Sequence, residues 1–179
     1  MKTMGISSKD IQKLRELTSC GVIDCKNALE EAGGDLDKAK TILLKRGLEI
    51  AAKKSGREAK EGRVEAYVHM GNKIAVLVEV NCETDFVGRN EDFCRFTKDL
   101  AMHIAATAPK YIKKEDIPAE VLAGQPNKEE FIKASCLMEQ AFIKNASLTI
   151  GDYLNSLVAK IGENIRVGRF IRYKVGEVE

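Results

Sequence analysis

Residues 84–87, Thr-Asp-Phe-Val, bring a carboxylate and an aromatic ring together between a predicted strand and a predicted helix. Such a corner lies at the end of a sheet, where a partner can reach the side chains. The acid and the phenyl ring could therefore engage another molecule on an exposed loop. The local pattern favours a different interpretation, in which Phe86 packs on its own helix as a hydrophobic staple. The pattern alone leaves both interpretations open.

Few other residues suggest chemistry. The two histidines, His69 and His103, are far apart in the chain, and a lone histidine is more often solvated or structural than functional. The sequence has no glycine-rich phosphate loop, dinucleotide-binding motif or nucleophile elbow. Its five cysteines are scattered without a Cys-x-x-Cys pair, which predicts neither a disulfide framework nor a zinc site. We therefore expect a protein that is not an enzyme and has no metal or other cofactor.

Composition and charge exclude further classes. The chain has 179 residues, of which 44% are apolar, so it can bury a real core. A net charge of +2 provides no chain-wide attraction for nucleic acid. No apolar stretch approaches the roughly 20 residues of a membrane span, and residues 1–8 lack the apolar region of a signal peptide. We expect a cytoplasmic protein that contacts neither nucleic acid nor membrane directly.

Residues 1–48 predict a domain of three short helices. The sequence from Ser7 resembles a capping box at the start of the first helix, while Asp24 and Asp35 are candidate N-caps of the second and third. Gly47 is the predicted end of the third helix. Three helices in about 40 residues predict a compact bundle.

Val22 and Ile23 are two bulky apolar residues that directly follow a glycine between the first two helices. Their spacing favours an interpretation in which both tuck into the bundle as a hydrophobic staple. The other interpretation is a docking surface for a partner helix, flanked by Arg15 and Lys26.

Residues 49–62 are rich in charged and small side chains and predict a linker. Its basic residues could touch phosphate in a nucleic-acid binder. They are interleaved with acids, so a solvated tether is the better prediction.

Residues 63–179 predict a core of strands and helices. Val64, Ala66, Val68 and Met70 alternate with Glu65, Tyr67 and His69, which predicts a strand whose apolar face is buried. The further predicted elements are a turn at 71–72, a strand over 74–80, a helix over 93–104 capped by Asn90, helices over 115–122, 128–137 and 152–160, and a strand from 164. The fold class is therefore α+β, a small three-stranded antiparallel sheet packed against helices.

Three separated motifs occur in a fixed order along the chain. They are Leu-Arg-Glu-Leu-Thr at 14–18 followed by Asp-Cys-Lys-Asn-Ala-Leu at 24–29, Glu-Val-Asn-Cys-Glu-Thr-Asp-Phe-Val at 79–87, and Lys-Ile-Gly-Glu-Asn-Ile at 160–165. In this order and spacing the chain resembles the elongation factor Ts family over nearly its whole length.

The resemblance implies a ubiquitin-associated-like three-helix N-terminal domain followed by a small α+β core. It also implies guanine-nucleotide exchange on elongation factor Tu, bound in its GDP-bound and nucleotide-free states, without bond-making chemistry. The rival function is a non-catalytic scaffold that binds its partner through the N-terminal bundle.

The resemblance also assigns site residues. The bundle would dock on a helix of the GTPase, and the 84–87 loop would intrude near the magnesium and phosphate site. Two residues after the last predicted helix would pack alongside, and His69 matches a further contact position. The implied partner-binding residues are Arg15, Val22, Ile23, Lys26, His69, Thr84, Asp85, Phe86, Val87, Ile161 and Gly162.

Two departures from the family pattern matter. Residues 19–23, Ser-Cys-Gly-Val-Ile, replace a Gly-Ala-Gly segment with two methionines, which predicts a stiffer docking loop. Longer members carry a duplicated core, whereas this chain has one copy between residues 63 and 179. Resemblance to other short members implies a homodimer, in which His69 would act from the second subunit.

Overall fold

The computed structural model describes residues 6–177, in which helices and strands are mixed along the chain. Two short 3₁₀ turns accompany them, at Lys114–Asp116 and Leu137–Glu139. The elements in order are α1 (Ser8–Thr18), α2 (Val22–Glu31), α3 (Leu36–Lys54), β1 (Glu61–Val68), β2 (Ile74–Cys82), α4 (Asp85–Gly88), α5 (Glu91–Thr107), α6 (Ala119–Ala123), α7 (Lys128–Ser135), β3 (Ala141–Phe142), β4 (Asn145–Thr149), α8 (Ile150–Ile161) and β5 (Arg166–Lys174). Within this range no helix is both long and apolar enough to cross a membrane.

The first three helices form the predicted bundle around a small apolar core. Ser7 makes the predicted capping box with Asp10, and the Asp35 carboxylate accepts two backbone N–H groups at the start of α3. The second helix begins earlier than predicted, because Gly21 rather than Asp24 is its N-cap. The side chains buried in the bundle are Leu14, Cys25, Ala28, Leu29, Ala39 and Leu43.

The predicted end of the third helix at Gly47 is wrong. Helix α3 continues to Lys54, because Gly47 is buried against the backbone of Asn155 and Ser156 in α8. A glycine inside a helix normally costs stability. A Cβ at Gly47 would make only an ordinary contact, 3.6 Å from Asn155 O, so the packing of α3 on α8 rather than the glycine itself explains why the helix continues. The segment predicted as a linker is therefore partly regular, with its beginning in α3 and its end in β1. The domain boundaries themselves stay predictions, and residues 1–5 and 178–179 lie outside the described residues.

The three-stranded sheet has the order β1-β2-β5 and is antiparallel throughout. Gly71 and Asn72 both adopt positive φ in the turn between β1 and β2, as their types predict. Asn90 caps α5 as predicted, and this helix packs its apolar stripe on one face of the sheet. The core between them contains Val76, Val78, Val80, Phe93, Phe96, Leu100, Ile104, Leu157 and Val167. This architecture confirms the predicted α+β class.

The predicted orientation of β1 is wrong, because its apolar face is the exposed one. Val64, Ala66 and Val68 are exposed, and Met70 beyond the strand is exposed as well. The opposite face of the strand, with Arg63, Glu65 and Tyr67, is half-buried against α5. There Arg63 donates to the Glu65 carboxylate and to Cys94 Sγ, and Thr97 Oγ1 also donates to Glu65. The Arg63–Glu65 pair and the partners Cys94 and Thr97 on α5 thus satisfy the charged side chains on this half-buried face.

The elements after α5 follow the prediction except in two places. The expected helix over 115–122 is interrupted before Pro118, because helical geometry is disfavoured for the residue that precedes a proline. Pro118 is then the N-cap of the short helix α6. The β3–β4 hairpin was not predicted, since its strands are short and lack a regular apolar alternation. The helix over 128–137, the helix over 152–160 and the last strand are found with slightly different ends.

His103 is buried on α5 and connects that helix to the β3–β4 region. Ile143 N–H donates to His103 Nδ1 at 3.4 Å, so His103 Nε2–H donates to Gln140 Oε1 at 3.0 Å. The Gln140 amide is oriented by its own bond to Ala134 O at 2.7 Å. Protonation of His103 would place a second N–H against the Ile143 donor. Burial accordingly lowers the pKa of His103, although its hydrogen bond with Gln140 opposes this.

We predict that His103 makes the fold less stable in mild acid. Below the ordinary histidine pKa of about 6.5, the unfolded chain takes up a proton that the folded chain refuses. The free energy of unfolding should then fall by up to about 1.4 kcal/mol per pH unit until the lower folded pKa is reached. Urea unfolding at several pH values between about 7.5 and 5.5 measures this slope.

His103→Gln should flatten the slope, and His69→Gln at the exposed histidine is the matched control variant. NMR titration of the imidazole in the unmodified chain gives an independent reading. A His103 imidazole whose pKa in the folded chain is above the ordinary value would contradict the assignment.

Candidate functional site

The 84–87 segment forms the start of α4, a single helical turn between β2 and α5. Thr84 is its N-cap, and the helix ends where Asn90 begins to cap α5. Phe86 is 79% exposed, although it is the only aromatic residue of this turn. The hydrophobic-staple interpretation of Phe86 is therefore wrong, and the ring projects into solvent.

Val87 and Gly88 hold the other side of α4 on the protein. Val87 is buried in the main core, next to the residue that projects outward. Gly88 lies against the backbone of Gly62 in β1, where a Cβ on residue 88 would be 3.3 Å from Gly62 O. A side chain there would push α4 away from the sheet. The turn is thus seated on the core through Val87 and Gly88 while Phe86 faces outward.

Asp85 is an exposed acid whose charge has a nearby partner. Its carboxylate accepts a hydrogen bond from Arg89 at 2.8 Å, one helical turn further on. Both side chains are solvated, so the pair contributes little to stability. It leaves Asp85 free to exchange Arg89 for another cationic or donor group.

Cys82 lies beneath the loop and supports it from the end of β2. Its Sγ–H donates to Thr84 O at 3.1 Å. Burial, together with the nearby Glu163 carboxylate, raises the pKa of Cys82 to about 11. The thiol therefore stays protonated at neutral pH and remains a donor.

Two carboxylates fix the position of Thr84 and were missed by the sequence reasoning. Glu163 accepts hydrogen bonds from Glu83 N, Thr84 N and Thr84 Oγ1, at 3.1, 3.0 and 2.7 Å. Glu83 in turn accepts from Asn164 N at 2.6 Å. Both acids belong to motifs quoted above, but their pairing across about eighty residues has no local signal in the sequence.

Val22 and Ile23 form an exposed apolar corner between α1 and α2. They are 52% and 73% exposed, so the interpretation in which both are tucked into the bundle is wrong. The staple positions of α2, before the N-cap and four residues after it, are instead occupied by Cys20 and Cys25. Cys25 is fully buried and Cys20 packs against the same cluster.

Arg15 and Lys26 lie near this corner and are exposed. Lys26 makes a solvated ion pair with Glu30 at 3.8 Å. The four predicted bundle residues thus present two apolar side chains and two cations to solvent.

Helix α8 connects this corner to the 84–87 segment. Cys20 Sγ donates to Ser156 Oγ in α8 at 3.9 Å, and the turn after the helix binds Thr84 through Glu163. Along α8, Ser156 and the last residue Ile161 are roughly 7.5 Å apart. Ile161 ends α8, and Gly162 follows with φ of +84°, a left-handed geometry that reverses the chain toward Thr84. The Val22–Ile23 corner and the 84–87 loop are therefore both connected to α8.

His69 lies far from the 84–87 segment within one chain. It follows β1 at the hairpin turn, where its Nδ1 contacts Tyr67 Oη at 3.0 Å. The 84–87 segment adjoins the other end of β1, where Glu61 pairs with Cys82. Eight residues of strand separate the two ends by roughly 25 Å.

No group of three or more His, Cys, Asp or Glu side chains within residues 6–177 has the arrangement of a metal site. The geometry instead resembles a contact surface, with one projecting ring, one apolar corner and a helix that joins them.

Comparisons with known proteins show which family the chain belongs to. A family model described as Elongation factor TS matches residues 36–129. The elongation factor Ts of Caldanaerobacter subterraneus subsp. tengcongensis is 49% identical, with 96% of this chain and 98% of the relative covered. That of Carboxydothermus hydrogenoformans is 48% identical, with 96% and 90% covered. That of Desulfotalea psychrophila is 46% identical, with 97% and 100% covered. Both the family model and the full-length relatives place the chain in one family, and it belongs to the elongation factor Ts family.

Proposed function

We propose that this translation elongation factor promotes the release of GDP from elongation factor Tu by inserting Phe86 near the magnesium and phosphate site. The observation that carries the proposal is the exposed Phe86 ring on a turn that Val87 anchors in the core. A large exposed ring on an anchored turn loses little conformational freedom when it binds. The Phe86 ring can therefore displace groups of a partner instead of being displaced itself. A cytoplasmic location follows from this partner.

The physical effect is a wedge. GDP is held by a phosphate cradle and by Mg²⁺, which demands nearly ideal octahedral coordination. A phenyl ring placed between elements of the GTPase displaces the groups that hold the ion and the β-phosphate. Asp85 supplies a carboxylate beside the ring, and no covalent bond is made or broken.

Linkage fixes what such a wedge can do. A factor that lowers the affinity for GDP is itself bound more weakly, by the same ratio, when GDP is present. The chain therefore speeds exchange in both directions, and the nucleotide concentrations determine which nucleotide is bound at the end.

The bundle would supply the stable part of the contact. Val22 and Ile23 offer an exposed apolar corner to a partner helix, with Arg15 and Lys26 at its edge. Since α8 joins this corner to the loop, docking of the bundle would set where Phe86 enters the partner. Ile161 and Gly162 would pack on the partner between the two contacts.

A homodimer is supported by the uncovered face of the three-stranded sheet. Two apolar rows cross all three strands, Ala66-Leu77-Ile171 and Val68-Ala75-Tyr173. Leu77, Ile171 and Tyr173 are exposed. Beside them Glu79 and Arg169 form an ion pair at 2.8 Å, which would lie next to the apolar rows. A contiguous apolar sheet face of this kind is typical of an interface.

The occupant that we propose is a second copy of this chain. The face is self-complementary in character, with apolar rows at its middle and opposite charges beside them, as a twofold interface requires. A twofold pair would let His69 of one chain act beside the Phe86 surface of the other. Such an arrangement is consistent with the large distance between His69 and Phe86 within one chain.

We predict that Phe86→Ala slows the release of GDP far more than it weakens binding. Truncation removes the wedge and leaves the bundle contact intact, so the saturating release rate should fall by about tenfold or more, equivalent to about 1.4 kcal/mol of lost transition-state stabilisation. Stopped-flow release of fluorescent GDP from elongation factor Tu, over a range of factor concentrations, separates rate from binding.

Phe86→Leu should keep part of the rate, and Ile143→Ala at another exposed apolar residue is the control that should change nothing. An unchanged rate in Phe86→Ala would favour the scaffold function, in which the bundle alone binds the partner.

We predict the opposite pattern for the bundle corner. Replacing both Val22 and Ile23 by Ala should raise the half-saturating factor concentration several-fold, because apolar contact is lost on binding, while the saturating release rate is retained. The same stopped-flow series measures both quantities. A loss of saturating rate without a change in binding would contradict the assignment of the corner to docking.

We predict that Leu77→Lys converts the dimer to a monomer. A charge at the middle of the apolar rows would be buried without a partner, at a cost of several kcal/mol. Light scattering coupled to size exclusion measures the mass, and Ile143→Lys on the β3–β4 hairpin is the control. A monomeric unmodified chain at micromolar concentration would overturn the homodimer.

A further inference from the structure

Two acidic residues from distant parts of the chain, Glu83 and Glu163, accept backbone N–H groups from each other's segment next to Phe86. Glu163, in the turn after α8, accepts three hydrogen bonds from Glu83 and Thr84. The Glu83 carboxylate in turn accepts a hydrogen bond from Asn164 N at 2.6 Å. We call this reciprocal arrangement of Glu83 and Glu163 the carboxylate clamp.

Helix α4 depends on the clamp because it cannot stabilise itself. A single helical turn is too short to persist alone in water. Thr84 is its N-cap, but the Thr84 side chain makes no capping bond to α4, and its hydroxyl donates to Glu163. The usual local support for a helix start is thus replaced by a contact from α8.

The clamp also reaches the end of the bundle's last helix. Asn164 is buried, and its Nδ2 donates to Arg57 O at 2.6 Å and to Ser55 O at 3.4 Å. Arg57 approaches Glu83 at 3.6 Å. The chain that leaves α3 is therefore tied to the same residues that hold Thr84.

The two acids differ in what compensates their charge. Glu83 has Arg57 as a cationic neighbour, whereas none of the ion pairs found in residues 6–177 involves Glu163. Glu163 is satisfied by N–H and O–H donors of the loop. Such charge-assisted hydrogen bonds are the stronger kind, and here all of them serve to fix Thr84.

We propose that Glu163 and Glu83 are positioning residues for nucleotide exchange, which hold α4 so that Phe86 is presented in its inserting orientation. This role rests on the proposed function and extends it, because neither acid is required to touch the partner. Loss of the clamp leaves the bundle able to dock, but α4 then spends only part of its time in the competent geometry.

Glu163→Ala and Glu163→Gln separate positioning from charge. In Glu163→Gln the amide oxygen can accept both backbone N–H groups, and the amide nitrogen can donate to Thr84 Oγ1, which also accepts. Geometry is kept while the charge is removed. Glu163→Ala removes all three bonds.

The expected result in stopped-flow GDP release is a saturating rate about tenfold lower for Glu163→Ala and within about twofold of the unmodified chain for Glu163→Gln. The half-saturating concentration should change little in either variant. Equal losses in both variants would assign Glu163 a direct electrostatic contact and overturn the proposal.

A double-mutant cycle tests whether Glu163 acts through Phe86. If it does, adding Glu163→Ala to Phe86→Ala should slow release no further, since the wedge is already absent. Additive losses would overturn the positioning role.

Hydrogen exchange on the free chain tests the clamp without any partner. The amides of residues 83–88 should exchange faster in Glu163→Ala and at the original rate in Glu163→Gln, while the amides of α5 stay protected in both. If the unmodified chain fails to speed GDP release, the proposed function is wrong, and this measurement still decides whether the clamp orders α4. Unchanged exchange at residues 83–88 in Glu163→Ala would overturn the clamp.

Discussion

The packing of α8 between the bundle and the sheet sets the geometry on which the proposed contacts depend. On one side, α3 packs on α8, with Gly47 next to the backbone of Asn155 and Ser156. On the other side, α8 contributes Leu157 and Val158 to the main core. Because both contacts are buried, the Val22–Ile23 corner and the α4 turn are held at a fixed separation. A partner that docks on the corner therefore meets Phe86 at a defined place.

Helix α4 illustrates how a projecting side chain can be held firmly. Neighbouring residues have opposite environments, since Val87 is buried and Phe86 is exposed. The turn has little intrinsic stability, and its order comes from Val87, from the close approach of Gly88 to β1 and from the bonds to Glu163. Most of what fixes the ring lies outside the segment that carries it. The position of the ring is thus a property of tertiary packing rather than of a short motif.

Local features were predicted well from the sequence. The caps at Ser7, Asp35 and Asn90 were identified because a capping bond spans only two or three residues. The turn at 71–72 was identified for the same reason.

Features that depend on distant contacts were not predictable in this way. The alternation in β1 predicted a strand correctly but assigned the wrong face, because only the position of α5 decides which face is covered. Gly47 signals a helix end locally, and only α8 explains why the helix continues. Among the proposed site residues, 84–87 were singled out by their types, but their role was assigned by the family resemblance. The hydrogen bonds of Glu83 and Glu163 had no local signal, because they form only where the end of β2 meets the start of β5.

The distance in sequence between Thr84 and Glu163 has a consequence for how the protein is made. Synthesis proceeds from the N-terminus, and domains tend to fold as they emerge. The bundle and the α4 segment leave the ribosome long before Glu163, which follows Thr84 by 79 residues, and before β5, which completes the sheet beside β2. The Val22–Ile23 corner that we propose for docking is therefore made early, whereas the hydrogen bonds that hold Thr84 must wait until residue 163 has been made. Under the proposed function, this order would keep chains that still lack Glu163 from acting on the machinery that is making them.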